Sequence, residues 1–359
     1  MDSDLLLFLS SLNTNYNWIG PILENYSSLE DIIYDNAKKL LEVDPKIYEF
    51  ILKNMKKFDI NLYKEKLWKN SIKFTTYGDS KYPKKLLEID DAPYTLYYKG
   101  DLTEEFNNCV SFVGARKCSQ YGSYACKKFV SEISQYKIPV VSGLALGIDK
   151  ISHQTSLENN NKTIGVLGCG IDQVYPRSNY RVFQDMISSH NGVIMSEYPF
   201  GIAPLPYNFP FRNRIISGLS LATVVIEAKE KSGTLITSSY ALSQGRDIFA
   251  VPGNINSVYS TGTNQLIKDG AYILTDVLDI ITQIPEFQNK YIEKPQLSFD
   301  LNDLERKIYN LLKIEADSPD EISIKLNEDI SDVLMSLTKM ELLGIVVDIG
   351  SKYSLKYIK

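Results

Sequence analysis

The sequence predicts an α/β protein built on a doubly wound, mainly parallel sheet. Between residues 110 and 274, seven short apolar segments alternate with segments of helical length. The apolar segments are rich in β-branched residues and continuously hydrophobic, which is typical of strands covered by helices on both faces. Most of them end in glycine or polar residues. Because ligands bind at the carboxyl ends of the strands in such sheets, this edge is the predicted location of the site.

Length and composition are typical of a soluble globular protein. The 359 residues suffice for two or three domains, and 44% of them are hydrophobic and 23% charged. The acidic start and the short apolar runs resemble neither a signal peptide nor a membrane span, so we expect a cytoplasmic protein that does not contact the membrane. Four cysteines without CxxC spacing and two distant histidines argue against a disulfide framework and a metal site.

The charge is distributed unevenly along the chain. The net charge is −5, made up of −2 over residues 1–70, +1 over 71–296 and −4 over 297–359. None of these segments has the strongly basic character of a general polyanion binder. Any contact with nucleic acid is therefore expected to be a local site in the middle segment.

Residues 1–70 are predicted to form a small all-α domain. Leu5, Leu6, Leu9 and Leu12 fall on one helical face. Residues 18–21 predict a break that resembles a worn helix-hairpin-helix, and the domain is expected to be of that or the sterile-alpha-motif type. Intact hairpins of this kind bind DNA backbones. Here several acidic residues follow, and their repulsion of phosphate disfavours DNA binding: Glu24, Glu30, Asp31 and Asp35.

The second predicted domain, residues 71–284, contains the sheet. A lead-in over residues 77–100 precedes the first strand. The predicted helices between strands include 121–137 and 234–244. The predicted strands are 110–113, 138–141, 163–167, 192–196, 222–227, 247–251 and 271–274.

Residues 285–300 read as a linker, and residues 301–359 as a third domain. Helices predicted at 303–314, 319–326 and 330–343 are followed by strands at 345–349 and 352–357, the order of a winged helix. The net charge of −4 and the acids Glu328, Asp329 and Asp332 at the start of the third helix would repel a phosphate backbone. We therefore expect a protein-contact or regulatory module rather than a reader of the DNA groove.

The predicted strand ends bring unusual residues to one edge. Arg116 follows the first strand, Gly143 the second, and the segment Lys231-Ser232-Gly233-Thr234 comes after the strand that ends at 227. Taken singly, the glycines favour tight packing and Arg116 a surface ion pair. The segment from Lys231 is typical of a helix N-cap, which is compatible with anion binding.

The most specific prediction of binding residues comes from residues 209–218. They place Arg212, Asn213 and Arg214 at the mouth of a helix, where the helix dipole disfavours cations unless an anion lies between them. Phe209 is a candidate for base stacking, with a core anchor as the alternative. Together these features suit a ligand that carries phosphates and bases. The predicted binding residues are Arg116, Gly143, Phe209, Arg212, Asn213, Arg214, Lys231, Ser232, Gly233 and Thr234.

The combined motifs resemble the DNA-processing protein A family (DprA, also called Smf). The resemblance spans essentially all of residues 77–280 in the right order. It is highly specific in combination, although each motif alone is weak. Beyond the lead-in, the matching segments are Gly114-Ala-Arg116, Ser142-Gly-Leu-Ala-Leu-Gly-Ile-Asp149, Gly165-Val-Leu-Gly-Cys-Gly170, Tyr175-Pro176, Ser196-Glu197, Phe209-Pro-Phe-Arg-Asn-Arg-Ile-Ile216, Ser232-Gly-Thr-Leu-Ile-Thr237 and Val251-Pro-Gly253.

The resemblance implies an extended Rossmann-like domain that binds single-stranded DNA, forms a homodimer and loads the recombinase RecA onto the strand during natural transformation. It also implies displacement of single-strand-binding protein. Arg116, Arg212 and Arg214 match the family's DNA contacts. One departure is Gln154, where many members have an arginine after the histidine that matches His153, and a backbone contact from that position is in doubt.

Two other functions are weighed against strand binding. Related Rossmann-like phosphoribohydrolases use a glutamate in a Pro-Gly-Gly-x-Gly-Thr-x-x-Glu turn, and Thr237 stands at that position here. With no replacement acid at suitable spacing, no P-loop and no metal motif, we expect a non-enzymatic protein without catalytic residues or cofactors. A transcription factor that binds duplex DNA through the winged helix is disfavoured by the acidic tail.

Overall fold

The computed structural model describes residues 1–290, 301–343 and 345–355, and the chain divides into two compact units, Met1–Tyr291 and Ile292–Lys359. The predicted linker began too early. Residues 285–288 form a short helix, and Phe287 is fully buried in a core of the first unit. Residues 291–300 of that linker lie outside the described residues. None of the described helices is long and apolar enough to cross a membrane.

The first seventy residues are helical, as predicted. Asp2 caps the first helix by accepting a hydrogen bond from the Leu5 amide at 2.6 Å. The break predicted at residues 18–21 is wrong, because the second helix runs through Pro21 and buries Ile19 and Ile22, which offsets the lost backbone hydrogen bond. The helices are α1 (Ser3–Ser11), α2 (Tyr16–Asn25), α3 (Leu29–Tyr34), α4 (Lys39–Val43), α5 (Pro45–Met55) and α6 (Ile60–Lys69).

A nine-stranded sheet forms the centre of the first unit. Its strands are β1 (Lys73–Thr76), β2 (Thr95–Lys99), β3 (Cys109–Val113), β4 (Val140–Ser142), β5 (Thr163–Val166), β6 (Gly192–Ser196), β7 (Ser220–Val225), β8 (Asp247–Ala250) and β9 (Tyr272–Ile273). Their order is β1-β2-β6-β5-β4-β3-β7-β8-β9. The seven strands from β6 to β9 are parallel, which confirms the mainly parallel sheet. The antiparallel pair β1 and β2 was not predicted; β2 lies in the segment expected to be a lead-in.

Helices cover both faces of the sheet. Consecutive side chains of β3 show this, because Phe112 packs into one core and Val113 into the other. The chain winds from β3 to β6 in one direction and then returns to place β7 beside β3, so a crevice opens between the carboxyl ends of β3 and β7. The helices are α7 (Gln120–Gln135), α8 (Ile148–Glu158), α9 (Tyr180–Ser188), α10 (Asn208–Gly218), α11 (Gly233–Ser243), α12 (Thr261–Lys268), α13 (Leu278–Gln283) and α14 (Pro285–Gln288).

The described part of the second unit contains three helices and a hairpin in the predicted order. Capping boxes begin its first two helices, at Asn302 with Glu305 and at Ser318 with Glu321. The elements are α15 (Asp303–Leu312), α16 (Pro319–Leu326), α17 (Ile330–Leu342) and the antiparallel strands β10 (Val346–Asp348) and β11 (Tyr353–Leu355). The winged-helix assignment stays a prediction, and residues 356–359 lie outside the described residues.

A buried ion pair ties α10 to the end of β6. The Arg214 side chain is fully buried, and its Nη1 and Nη2 donate to both carboxylate oxygens of Glu197 at 2.8 and 2.7 Å. Its Nε donates to the Asp91 carbonyl at 3.0 Å and lies 3.2 Å from the Asp91 carboxylate. Such bidentate, charge-assisted contacts fix both the position and the rotation of the helix.

A second buried polar contact joins α8 to the sheet. The His153 ring is fully buried, and its Nδ1 lies 2.7 Å from the Thr163 hydroxyl. That hydroxyl donates to the Val140 carbonyl at 2.9 Å, so Nδ1 must carry the proton. Among the described residues, Nε2 has no hydrogen-bond partner. Burial, with a smaller effect of Arg212, lowers the pKa of His153 to about 3.

Arg214→Ala is expected to lower the free energy of unfolding by about 3–5 kcal/mol, because it leaves the Glu197 carboxylate buried without its partner. Both tryptophans, Trp18 and Trp68, belong to the first unit, so tryptophan fluorescence during urea denaturation follows that unit alone. The matched control is Arg181→Ala, whose side chain is 92% exposed. An equal, small effect of both substitutions would show that the ion pair does not hold α10.

His153 is expected to make folding pH-dependent. The unfolded chain binds a proton at this residue below pH ~6.5, whereas the folded chain does so only near pH 3. Stability is therefore fully present above pH 6.5 and is lost as the pH falls towards 3, by about 2 kcal/mol between pH 7 and 5. Urea denaturation at several pH values should show this slope reduced in His153→Gln. His190→Gln, which replaces the exposed histidine, is the matched control. An unchanged slope in His153→Gln would refute the assignment.

Candidate nucleic-acid interface

A cavity of about 580 Å³ lies at the crevice between the ends of β3 and β7. Its walls are the loop after β3, the first turn of α8, one face of α10 and residues 229–237, which lead into α11. This is the sheet edge at which the sequence placed the site. Nine of the ten predicted binding residues either line the cavity or directly contact a residue that does.

One face of α10 supplies the centre of this wall. Phe209, Arg212, Asn213 and Ile216 line the cavity, a spacing of three, four and seven residues that aligns side chains on a helix. Arg214 lies two residues, about 200°, away from Arg212 and faces the opposite side. The prediction that Arg214 contacts the ligand is therefore wrong: it is buried against Glu197 and Asp91. The arginines also lie in the second turn of α10, not at its mouth.

Arg212 is a buried cation at the base of the cavity. Its Nη1 donates to the Gly143 carbonyl at 2.8 Å and to the Val166 carbonyl, which lie at the ends of β4 and β5, and its Nε donates to Asn213 Oδ1 at 3.3 Å. Burial lowers the pKa of Arg212 to about 10, so the guanidinium remains charged at neutral pH. A Cβ at Gly143 would lie 2.7 Å from Arg212 Nη2, which explains the glycine.

Asp149 shapes the loop beside Arg212. Its Oδ2 accepts hydrogen bonds from the amides of Gly143 at 3.2 Å and Ala145 at 3.3 Å. Burial raises its pKa, while the charge of Arg212 and these hydrogen bonds oppose the shift. Through these hydrogen bonds, the Asp149 carboxyl orients the turn from β4 to α8. Among the described residues that line the cavity, Asp149 is the only acidic one.

The loop after β3 carries an exposed arginine. The Arg116 guanidinium lies 6.0 Å from the centre of the Phe209 ring. Gly147 packs against this loop. Its φ of +73° favours glycine, and a Cβ there would lie 2.2 Å from the Ala115 carbonyl oxygen, which leaves no room for a side chain. Within the part of the chain that the structure describes, Arg116 and Lys231 form no ion pair.

Phe209 is both anchored and exposed to the cavity. Gly168 packs against its ring so closely that a Cβ there would lie 2.8 Å from Phe209 Cδ1, and the Tyr175 ring lies 5.2 Å away at an angle of 35°. The half-buried ring also lines the cavity. It therefore has the position that stacking on a base requires.

The start of α11 closes the cavity. Ser232 caps this helix by accepting from the Thr234 amide at 3.2 Å, and it donates to the Thr234 hydroxyl at 3.0 Å. Gly233 has open space at its Cα, and Asn213 Nδ2 reaches its carbonyl at 3.5 Å. The cap and the anion-binding geometry coexist, because the positive end of the helix lies in the cavity wall.

Two cations of the wall were missed by the sequence analysis. Lys117 and Lys229 line the cavity and are exposed. Each lies within two residues of a predicted cation, Arg116 or Lys231. Closeness in sequence to these predicted cations could therefore have identified both lysines. Thr237, the residue at the position of a hydrolase glutamate, also lines the cavity.

Comparisons with known proteins agree with this architecture. The family described as DNA recombination-mediator protein A matches residues 73–285. The DNA processing protein DprA of Streptococcus pneumoniae is 42% identical over 213 residues, which cover 59% of this chain and 74% of that protein. The X-ray structure of DprA from the same species is similar with a TM-score of 0.66 and 34% identity, covering 78% of this chain and 97% of that one.

A third similarity is to DNA processing protein A from Helicobacter pylori, whose structure was described for its unique single-stranded DNA binding mode. It has a TM-score of 0.53 and 28% identity, and the match covers 60% of this chain and 96% of that one. The family match spans more than half of the chain and coincides with the sheet and the cavity. The chain therefore belongs to the DNA recombination-mediator protein A family.

Proposed function

We propose that this protein binds single-stranded DNA in the cavity without breaking a bond and delivers the strand to a recombinase. The observation that carries the proposal is a set of five cations that line the same cavity as one half-buried aromatic ring. The cations are Arg116, Lys117, Arg212, Lys229 and Lys231, and the ring is Phe209. Cations neutralise phosphates, and an aromatic face stacks on a base of any sequence.

The shape of the site favours an unpaired strand over a duplex. Phe209 lies inside a concave cavity, where a ligand must present the face of a base. Bases of a duplex are stacked on one another and do not present their faces, whereas those of a single strand are free to do so. The Helicobacter pylori relative, described for binding single-stranded DNA, supports the same choice.

We infer binding without cleavage from the contacts of Asp149, the acidic residue beside the site. Asp149 is buried and accepts two backbone hydrogen bonds, which suits a structural role. Among the described residues no second carboxylate lines the cavity to form an acid–base pair with it. A hydrolase of the phosphoribohydrolase type therefore finds no support here.

Delivery to a recombinase rests on the family, whose description is that of a recombination mediator. The sequence resemblance further implies RecA as the recombinase, a homodimer as the active form and displacement of single-strand-binding protein. In the second unit, the third helix begins with the acids Asp329 and Asp332, which suit a protein contact better than a DNA contact.

Arg116→Ala is expected to weaken binding to oligo-dT roughly tenfold, because it removes an exposed cation beside Phe209. Anisotropy titrations at several salt concentrations should also show a log–log salt slope smaller by ~0.7, the value for one phosphate contact on a single strand. The wild type should bind oligo-dT more tightly than duplex DNA or a mononucleotide.

The control for this titration is Arg181→Ala, which removes an arginine that is 92% exposed and lies outside the cavity. It should leave both the affinity and the salt slope unchanged. Equal affinities of wild type and Arg116→Ala for oligo-dT, or a preference of the wild type for duplex DNA, would overturn the proposed function.

Recombinase delivery is tested with RecA from the same organism on oligo-dT coated with single-strand-binding protein. The wild-type protein should shorten the lag before RecA hydrolyses ATP, because it offers RecA a strand already freed of its coat. Arg116→Ala should shorten the lag less. An unchanged lag with a protein that binds oligo-dT normally would separate strand binding from recombinase loading and refute the latter.

A further inference from the structure

A second cavity lies against a neighbouring face of α10. It measures about 270 Å³ and is formed within the first unit by residues from 6–19, 93–95 and 197–199 and by the start of α10. We call it the tyrosine cleft, after its aromatic lining of Tyr16, Tyr94, Tyr198, Tyr207 and Phe211; Asn208 lies among them. Its volume falls just below the ~300–1,000 Å³ typical of drug-sized ligands, so it suits a single ring system.

The tyrosine cleft contains polar groups without partners. Asn208 is 4% exposed, and among the described residues its Nδ2 has no hydrogen-bond partner. The hydroxyl of Thr14, which also lines the cleft, is buried and likewise has no hydrogen-bond partner among the described residues. Leaving a buried donor unsatisfied costs about 1–3 kcal/mol, so both groups point to a ligand that carries a hydrogen-bond acceptor.

The charge of the tyrosine cleft differs from that of the first cavity. Among the described residues its only charged side chain is Glu197, and both oxygens of that carboxylate are bound by Arg214. Within this described lining, no cation is free to neutralise a phosphate. The cleft therefore suits a flat, uncharged ligand with acceptors on its edge.

The two sites lie against neighbouring faces of α10. Asn208 and Phe211, three residues apart, line the tyrosine cleft, whereas Phe209 and Arg212, also three apart, line the first cavity. At about 100° per residue, the two pairs point about 100° apart, so the start of α10 lies between the sites. A strand that crosses the start of α10 would therefore pass both sites.

We propose that the tyrosine cleft binds a single nucleobase, which stacks on its aromatic side chains and accepts a hydrogen bond from Asn208. The base belongs either to the strand held in the first cavity, which rests on the proposed function, or to a free nucleoside. Both sources share one chemistry: a flat heteroaromatic ring with a carbonyl acceptor.

The test uses two substitutions in the full chain. Tyr207→Ala removes a ring that is 70% exposed and provides no side-chain cap to α10. Asn208→Leu removes the donor while keeping a side chain of similar size. Each should weaken oligo-dT binding about tenfold, without changing the salt slope, because no phosphate contact is lost. Tyr34→Ala, which removes a ring that is 92% exposed on α3, is the matched control and should change neither.

A second measurement distinguishes the two sources. Thymidine carries no phosphate, so its saturation-transfer NMR signal needs no phosphate contact, and the part of that signal lost in Tyr207→Ala and Asn208→Leu reports on the cleft. Loss of oligo-dT affinity in both variants assigns the base to the strand. Loss of thymidine signal alone assigns it to a free nucleoside. Wild-type behaviour of both variants with both ligands would overturn the proposal. A wild type that fails to bind oligo-dT refutes the proposed function and leaves thymidine to decide the cleft.

Discussion

The ion pair between Arg214 and Glu197 determines how α10 is rotated, and the two cavities that α10 lines depend on this rotation. A bidentate pair in a buried setting allows little freedom, because both carboxylate oxygens and both terminal nitrogens are engaged. Successive residues of a helix are about 100° apart. With Arg214 held against the end of β6, Arg212 must face the ends of β4 and β5, where it meets two carbonyl oxygens.

The two arginines therefore have different tasks despite their identical chemistry. Arg214 binds a carboxylate and presents no net charge to a ligand. Arg212 hydrogen-bonds to carbonyl groups, which stabilise its charge without cancelling it, and it lines the cavity. The exposed cations around it have side-chain freedom, whereas Arg212 is preorganised by its burial. Under the proposed function, a strand phosphate would meet one fixed cation and several adaptable ones, an arrangement that lowers the entropy lost on binding.

Much of this could be predicted from the sequence, and the failures have definite causes. Continuous apolar runs identified the seven parallel strands, and 192–196 matches β6 at both ends. The strand β2 was missed because its tyrosine-rich segment lies in a stretch without helical crossovers. The Arg-Asn-Arg motif indicated an anion site, but spacing alone cannot show which of the two arginines faces the cavity. The orientation of Arg214 depends on Glu197, which lies seventeen residues earlier in the chain, and only the fold shows that these two residues are paired.

A binding site confined to one cavity is compatible with the overall negative charge of the chain. A net charge of −5 repels a polyanion at long range, so attraction is confined to distances near the Debye length of ~8–10 Å. Under the proposed function, such a protein would not coat nucleic acid indiscriminately, because each copy would bind only the few nucleotides that enter its cavity. Affinity for a long strand would then require several copies acting together, since linked weak sites bind with a high effective concentration. The same proposal accounts for hand-over to a recombinase, because individually weak contacts would release the strand stepwise.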